Sequence, residues 1–339
     1  MAFKDVKYDW TKYPDITGMY NYTAEEEAYW PMQAVHPKWD IPEKVSIQCA
    51  LTGGGARITP AQNPYHPGDN LDHVIEAASE VLELETGPSV IHFDHDTGTC
   101  QLRDGTKVDY GDSYMYTVAP LLKKYGWDKM CTHINTLRGS FEQQMKPVVG
   151  GLAELTYTHP RASRRWLEAT IPFLKENEMK AEITIHVNSE IEMAERLLIR
   201  TGLMPNPNLW VILFALPCKG PRWHFEYMPH PIAMAQSLVN AITRIRELDP
   251  NGFITVIAGG RPSRYIVTLA ILMGVHIRVG MEDTVFQYPH KDDPCKSNAE
   301  EVAWAIQTAK LLGRDVMTPA EFRKTVGLPE KHGFEPYIK

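Results

Sequence analysis

Two short segments of the sequence place residues that bind metals or transfer protons where an apolar strand ends. The first is Ile91-His92-Phe93-Asp94, and the second runs from Arg278 to Asp283 and contains Glu282. Side chains alternate along a strand, so His92 shares a face with Asp94, and Arg278 shares one with Glu282. Buried charges need a partner or a metal ion. The two segments therefore indicate either a metal centre or a structural arginine–carboxylate pair that closes a barrel.

The His-x-Asp segment has the spacing of a metal site. An imidazole and a carboxylate two residues apart on a strand can reach one cation, at ~2.0–2.2 Å for zinc. With Glu282 as the third ligand, one position stays open for water or substrate, as catalytic zinc requires. His95 is an alternative ligand to Asp94. The interpretation without a metal makes His92 a hydrogen-bonded core histidine.

Polar side chains recur at the ends of the strands between these two segments. Buried carboxylates without partners are unfavourable, so the pattern predicts a polar, hydrated cavity, although each residue alone fits a cap or a cross-strand hydrogen bond. The residues concerned are His133, Asn135, Thr136, Glu154, Thr156, Glu182, Thr184 and His186. Arg261 follows Gly259-Gly260 at the predicted start of a helix, which suits an anionic group. A surface arginine is the alternative there.

Strands and helices alternate along the chain in about eight rounds, which predicts a (β/α)8 barrel of the α/β class, with a doubly wound sheet as the alternative. In a barrel, the chemistry lies at the C-terminal ends of the strands. Thr318-Pro319-Ala320-Glu321 opens an extra C-terminal helix. The predicted strands are Val45–Leu51, Ser89–Asp94, Met130–Asn135, Leu152–Thr156, Ala181–Val187, Leu209–Leu216, Phe253–Ala258 and His276–Gly280.

The helices between the strands are predicted from apolar residues at helical spacing. A capping box at Ser189–Glu192 opens a further helix, and a second one at Ser297–Glu300 precedes the helix Val302–Leu312. The helical segments are Asp72–Leu84, Tyr114–Tyr125, Arg164–Lys175, Ile232–Leu248, Tyr265–Met273 and Val302–Leu312.

Residues 1–43 form a separate segment that lacks sustained periodicity but is rich in tyrosine and tryptophan. Disordered tails are poor in aromatic residues, so we predict an arm that packs on the barrel or on a neighbouring subunit. Residues 44–339 then make a single barrel domain.

Composition excludes several classes of protein. The 339 residues are 43% hydrophobic and 23% charged, as in globular domains. The net charge of -7 argues against nucleic-acid binding, and the apolar runs are too short or too broken for a membrane span. Five cysteines without regular spacing indicate neither a disulfide framework nor a cysteine zinc site, and they fit a reducing cytoplasm. The polar start does not read as a signal peptide.

The chain resembles the β-keto acid cleavage enzyme family, whose type member is the 3-keto-5-aminohexanoate cleavage enzyme. The similarity runs from about residue 45 to about residue 328, and the segment that ends in Glu282-Asp283 is its most specific part. The motifs that carry it are Cys49-Ala50-Leu51-Thr52-Gly53, Val90-Ile91-His92-Phe93, Ala270–Asp283, Lys296-Ser297-Asn298-Ala299-Glu300 and Leu312–Glu321.

The resemblance implies an oligomeric (β/α)8 barrel with one Zn2+, which converts a β-keto acid and acetyl-CoA into acetoacetate and a new acyl-CoA. It implies that His92 and Glu282 bind the metal and that Asp283, oriented by Arg278, deprotonates the substrate. The position of the family's catalytic glutamate falls on Glu182 or Thr184. We expect the substrate to be contacted by Arg261, Asn135, Thr136, Glu154 and Thr184.

The sequence departs from the family at the site itself. The second histidine of the family's His-x-His segment is Asp94, and the Ser-Thr-Gly-Gly turn is replaced by Asn135-Thr136-Leu137-Arg138. A carboxylate ligand lowers the positive charge of the centre, which makes Mn2+ an alternative to Zn2+.

Three functions follow from these residues. The first is metal-dependent C–C cleavage of a β-keto acid, by acyl transfer to CoA or, without CoA, by hydrolytic or retro-aldol cleavage. The second is a metal-dependent hydrolase, and the third is a barrel without catalysis. We expect a cytoplasmic homo-oligomer, a dimer or tetramer, that binds neither nucleic acid nor membrane.

Overall fold

The computed structural model describes residues 7–13, 36–52, 70–95, 100–136, 138–214 and 230–334, and it divides the chain into the units Met1–Asp40 and Ile41–Lys339. In the described part of the first unit, the regular element is a 3-10 turn at Trp10–Lys12. Asp9 caps this turn by accepting the backbone N–H of Thr11 at 3.2 Å. The side chains of Trp10 and Trp39 are exposed. Most of the predicted aromatic arm lies outside the described residues.

The second unit is a closed barrel of eight parallel strands in sequence order. Its first strand, Ile47–Ala50, pairs with both the second, Val90–Phe93, and the last, His276–Val279. This confirms the predicted (β/α)8 fold and excludes the doubly wound sheet. Two short strands, β1 and β10, pair with each other outside the barrel. The strands are β1 Lys44–Val45, β2 Ile47–Ala50, β3 Val90–Phe93, β4 Cys131–Ile134, β5 Leu155–Thr158, β6 Lys180–Ile185, β7 Leu209–Phe214, β8 Phe253–Ala258, β9 His276–Val279 and β10 Asp315–Val316.

The α-helices in the described ranges surround the barrel and follow the predicted order. A turn of π-helix at Glu195–Ile199 continues the helix Ser189–Ala194. The helices are α1 Leu71–Leu82, α2 Tyr110–Tyr125, α3 Phe141–Val149, α4 Arg164–Glu176, α5 Ser189–Ala194, α6 Pro231–Leu248, α7 Ser263–Leu272, α8 Asn298–Leu311 and α9 Pro319–Val326. None of these helices is long and apolar enough to cross a membrane.

Helix α3 is missing from the sequence prediction because it is short and carries Pro147 inside it. A capping box between Ser140 and Gln143 starts it. The predicted capping box at Ser189 does not form, because α5 has Asn188 at its N-cap without a side-chain hydrogen bond. The predicted start at Thr318 is confirmed, since Thr318 and Glu321 form a capping box with Pro319 in the first turn.

The N-terminal end of the barrel is closed by an apolar layer and by the extra C-terminal helix. Val90, Cys131, Leu155 and Leu209 point into this layer, and α9 packs against it through Phe322. All of these side chains are at least nine-tenths buried. This end is therefore sealed, and the polar residues of the interior lie toward the C-terminal end.

Glu154 lies at the sealed end, which differs from the expectation that it contacts substrate. Its carboxylate accepts hydrogen bonds from Arg323 Nε at 2.6 Å and Nη2 at 2.9 Å, and from the backbone N–H of Thr132 at 3.0 Å. The strand that follows begins at Leu155 rather than Leu152, so Glu154 precedes it. We therefore remove Glu154 from the substrate contacts and assign it to the pairing of α9 with the barrel.

Candidate metal centre

Three of the predicted ligands meet at the C-terminal end of the barrel. His92 lies near the end of β3, Asp94 follows that strand, and Glu282 lies in the loop after β9. One ligand atom from each lies within 4.8 Å of the others, and all three side chains are buried. Strand β2 is hydrogen-bonded to both β3 and β9, so closure of the barrel brings the early and late ligands together.

A single glycine allows the loop after β9 to turn back toward His92. Gly280 has φ of 135°, and a Cβ atom there would lie 2.1 Å from the carbonyl oxygen of Ala50. Only glycine tolerates both this φ and this close approach of the backbone. The backbone N–H of Glu282 then donates to the same carbonyl at 3.3 Å.

Asn298 fixes the same loop from the other side. Its side-chain oxygen accepts the backbone N–H of Met281 at 2.8 Å, and its amide nitrogen donates to the carbonyl of Leu51 at 2.9 Å. Asn298 is the first residue of α8, directly after the N-cap Ser297. The start of α8 thus ties the ligand loop to β2.

Arg278 organises the two carboxylates that follow it. Its Nη2 donates to Glu282 Oε1 at 3.0 Å, and its Nε donates to Asp283 Oδ2 at 3.0 Å. Nη2 also bonds Asp283 Oδ1, and Nη1 donates to the hydroxyl of Tyr157. Burial raises the pKa of Asp283 to about 6, although the guanidinium of Arg278 opposes that rise. Asp283 is therefore ionised near neutral pH and is held in one orientation.

Two buried ligand atoms of this group face each other without hydrogen bonds among the described residues. They are Nε2 of His92 and Oε2 of Glu282, 3.4 Å apart. Burial lowers the pKa of His92 well below its ordinary value, and Arg278 and His133 lower it further, so the imidazole is neutral. Buried polar atoms without partners are rare, and a neutral imidazole nitrogen beside a carboxylate oxygen is a donor set that zinc prefers. The residues present therefore fit a metal ion.

Asp94, rather than His95, belongs to this cluster. Its Oδ1 accepts hydrogen bonds from Asn135 Nδ2 at 2.9 Å and from Arg138 Nη1 at 2.7 Å. Burial raises the pKa of Asp94 to about 6, while Arg138 opposes the shift. A cation beside Asp94 would favour its ionised form further.

His95 turns away toward helix α2. Its Nδ1 lies 2.7 Å from the hydroxyl of Ser113, and its Nε2 lies 3.4 Å from that of Thr117. The ring stacks on Tyr114 with 4.2 Å between centroids. Both ring nitrogens are thus engaged in packing α2 against the barrel.

The charge balance of the cluster favours a divalent cation. Within the described residues, four buried carboxyl groups share this end of the barrel with two guanidinium groups. The carboxyl groups thus outnumber the guanidinium groups by two, and unpaired negative charges repel strongly in a water-poor interior. The carboxylates belong to Asp94, Glu182, Glu282 and Asp283, and the guanidinium groups to Arg138 and Arg278.

A second histidine lies directly behind His92. His133 on β4 is the register partner of His92, and the two Nδ1 atoms are 2.6 Å apart. On its other side, His133 Nε2 lies 3.1 Å from Glu182 Oε2. Of the two positions that the resemblance left open, Glu182 is thus the one that joins the cluster. The hydroxyl of Thr184 donates to the carbonyl of Glu182 at 3.4 Å.

The other residues that we predicted to contact the substrate have different surroundings. The amide of Asn135 is beside Asp94, whereas the hydroxyl of Thr136 lies 2.8 Å from that of Thr156. Arg261 donates to the carbonyl of Lys291 at 2.7 Å and pairs with Asp292, and its guanidinium stacks 4.0 Å from the ring of Phe286. Arg261 is therefore near the mouth, but its guanidinium is already engaged by the loop after β9.

Two residues of the site are missing from the sequence prediction. Tyr157 packs against the rings of His92 and His133, at 5.2 and 4.1 Å between centroids. The predicted strand ends at Thr156 and so omits Tyr157, although the alternation of apolar residues with threonine continues to Thr158. Arg138, the partner of Asp94, lies in a turn where the sequence has no periodic pattern.

Comparisons with known proteins place the chain in a family. The sequence model of the β-keto acid cleavage enzyme family matches residues 129–328. The 3-keto-5-aminohexanoate cleavage enzyme of Acetoanaerobium sticklandii is 31% identical over 299 residues, which cover 84% of this chain and 99% of the relative. The enzyme of the same name from Fusobacterium nucleatum is 26% identical over 303 residues, with coverage of 84% and 98%.

Solved structures support the fold alone. ObcA in binary complex with oxaloacetate has a TM-score of 0.61 and 16% identity, over 78% of this chain and 68% of ObcA. A type I 3-dehydroquinate dehydratase from Clostridium difficile has a TM-score of 0.51 and 11% identity, over 80% of this chain and 93% of that one. The match to the family model, together with the identity to the Acetoanaerobium enzyme along nearly its whole length, shows that this chain belongs to the β-keto acid cleavage enzyme family.

Proposed function

We propose that this protein cleaves a carbon–carbon bond of a small β-keto acid with a divalent cation held by His92, Asp94 and Glu282. The carrying observation is the buried pair of ligand atoms, His92 Nε2 and Glu282 Oε2, 3.4 Å apart and without hydrogen bonds among the described residues. A cation bound there would polarise the keto oxygen and stabilise the negative charge that develops on it. Zn2+ fits these donors, and the two carboxylates also suit Mn2+.

Asp283 is the proposed base. It is adjacent to the ligand Glu282, and Arg278 bonds both of its oxygens, which fixes their direction. Its pKa of about 6 leaves it ionised at neutral pH yet close enough to neutrality to accept and return a proton. Asp283 would take a proton from the substrate. The guanidinium of Arg278 would then stabilise the negative charge that remains in the site.

Arg261 is the proposed contact for the substrate carboxylate. Its present partner, Asp292, has a side chain that is 86% exposed. Exposed ion pairs contribute little, so a substrate carboxylate can replace Asp292 at small cost. Asn135 and Thr184 are proposed to line the same polar mouth, and Thr136 to support it through Thr156.

Acetyl-CoA is the proposed co-substrate, so that a β-keto acid and acetyl-CoA give acetoacetate and a new acyl-CoA. The alternative is cleavage by water or without a partner. We further propose, from the family resemblance, that the protein forms a homo-oligomer.

The test is an assay of the metal-loaded protein on a panel of short β-keto acids, with and without acetyl-CoA. We expect acetoacetate and a new acyl-CoA to form only when both substrates are present. Product formation without acetyl-CoA would show that the reaction is hydrolytic or retro-aldol cleavage and not acyl transfer. Metal-loaded protein that converts no β-keto acid under either condition would overturn the proposal.

Asp283→Asn tests the base. We expect it to reduce turnover about 100- to 10,000-fold while the metal content stays at the wild-type level. Unchanged turnover would remove Asp283 from this role.

A further inference from the structure

Behind the ligand His92 lies a chain of buried groups that ends on Glu182. His92 and His133 face each other across β3 and β4, with Nδ1 atoms 2.6 Å apart and rings inclined at 61°. His133 then presents Nε2 to Glu182 Oε2 at 3.1 Å. The two histidines are fully buried, and Glu182 is 3% exposed. Solvent is thus excluded from each link.

The position of each hydrogen in this row of buried groups can be derived by starting from Glu182, where the row ends. His133 Nε2 and Glu182 Oε2 lie 3.1 Å apart, and neither atom has a hydrogen bond among the described residues. A hydrogen on Nε2 removes the repulsion between the nitrogen lone pair and the carboxylate oxygen, so we place it there. With this single hydrogen on Nε2, His133 has a bare Nδ1. At 2.6 Å from this atom, Nδ1 of His92 must be the donor, because two lone pairs at that distance would repel.

This arrangement leaves Nε2 of His92 without hydrogen. That is the atom that faces Glu282 Oε2, and it is the nitrogen that a metal ion needs in its bare form. The ring plane is fixed as well, because Tyr157 packs on both imidazoles and its hydroxyl accepts from Arg278.

Building on the metal site proposed above, we propose that His133 and Glu182 are positioning residues that set the tautomer and orientation of His92. Glu182 therefore acts through His133 and does not contact the substrate. Outer residues that orient a metal-binding histidine typically change metal affinity ~10- to 100-fold when they are removed. This role explains why His133, which is neither a metal ligand nor the base, is buried beside His92.

The experiment compares Zn2+ affinity, by competition with a chelating indicator, for wild type, His133→Phe and His133→Asn. The phenyl ring keeps the bulk but removes the acceptor, so we expect affinity to fall ~10- to 100-fold. Asparagine places an oxygen near the position of Nδ1, so we expect it to restore most of that loss. His276→Gln, at the sealed end of the barrel, is the control and should bind Zn2+ like wild type.

The tautomers are read independently from nitrogen-15 NMR of the histidine side chains in the Zn2+-loaded wild type. We expect His92 to carry hydrogen on Nδ1 and His133 on Nε2. Hydrogen on Nδ1 of His133, or His133→Phe with wild-type Zn2+ affinity, would overturn this inference and leave the metal site intact. Wild type that binds neither Zn2+ nor Mn2+ would instead overturn the proposed function. If His133→Phe does not fold, the NMR result decides.

Discussion

Two buried arginines hold carboxylates at opposite ends of the barrel, and their surroundings differ. At the sealed end, every nitrogen of the Arg323 guanidinium donates a hydrogen bond, to Glu154 and to the carbonyls of Trp127 and Met130. At the open end, Arg278 is as deeply buried, yet Glu282 beside it keeps one oxygen without a hydrogen bond among the described residues.

The two arginines differ in whether the carboxylates beside them have all their hydrogen bonds. A buried pair stabilises a fold only when its remaining donors and acceptors are satisfied, and Arg323 with Glu154 meets that condition. The Arg278 cluster does not, because it has excess negative charge and bare ligand atoms. The same residue types thus fasten α9 at one end and, in the function that we propose, hold a cation at the other.

The largest expected effect on stability comes from breaking the pair at the sealed end. Glu154→Gln leaves the Arg323 charge buried without a counter-charge and should lower the free energy of unfolding by about 3 kcal/mol. Glu282→Gln in the metal-free protein should lower the free energy of unfolding by clearly less, because it removes one of several neighbouring negative charges. Urea denaturation measures both changes.

Glu168→Gln is the control for this pair of variants. Its ion pair with Arg164 is on the surface, so the urea midpoint should not move. A loss of stability for Glu282→Gln as large as that for Glu154→Gln would contradict the distinction between the two ends.

A smaller effect is expected from the glycine that turns the ligand loop. Gly280→Ala would place a Cβ atom 2.1 Å from the carbonyl oxygen of Ala50. We expect Zn2+ affinity to fall, and stability to decrease by more than the ~1–2 kcal/mol that a positive φ costs an L-residue. Affinity is measured by competition titration and stability by urea denaturation.

Gly313→Ala is the matched control. Gly313 also has a positive φ of 77°, but no atom lies within 4 Å of the added Cβ. It should show only the cost of the backbone conformation and no change in Zn2+ affinity. Equal effects of the two substitutions would show that the contact with Ala50 does not position Glu282.

The smallest effect concerns a histidine at the sealed end. His276 accepts the backbone N–H of Ser46 at 3.0 Å, and burial, with Arg314 and Arg246, lowers its pKa to about 3. Between pH 3 and ~6.5 the unfolded chain therefore binds a proton that the folded chain does not. His276 therefore decreases the free energy of unfolding as the pH falls below ~6.5, and it has no such effect above that pH.

His276→Gln should remove this contribution, so its free energy of unfolding should fall less on acidification, by ~1 kcal/mol per pH unit below pH 6.5. Urea denaturation at pH 7 and pH 5 gives the slopes. The exposed His332 is the control, and His332→Gln should leave the pH dependence unchanged. Parallel curves for wild type and His276→Gln would refute a neutral, buried His276.

The barrel and part of its site follow from local patterns in the sequence. Alternation of strands and helices predicts the fold, and residue spacing places His92 with Asp94 on one face of a strand. Closure of eight strands then brings Glu282 from the last strand next to them. These inferences need only periodicity and topology.

The partners of these residues depend on contacts between distant parts of the chain. Glu154 pairs with Arg323, 169 residues later, although its position near the end of the predicted strand Leu152–Thr156 indicates a substrate contact. His133 meets His92 only because of the register between β3 and β4. Such contacts are set by packing, and no local pattern in the sequence encodes them.

The central claim is that one cation is shared by an early and a late strand of the barrel. Anomalous diffraction from crystals of the protein loaded with Zn2+ tests it most directly. We predict a single strong peak within ~2.0–2.2 Å of His92 Nε2 and a carboxylate oxygen of Glu282, with Asp94 beside it. Metal peaks confined to surface residues, with none between His92 and Glu282, would contradict the account.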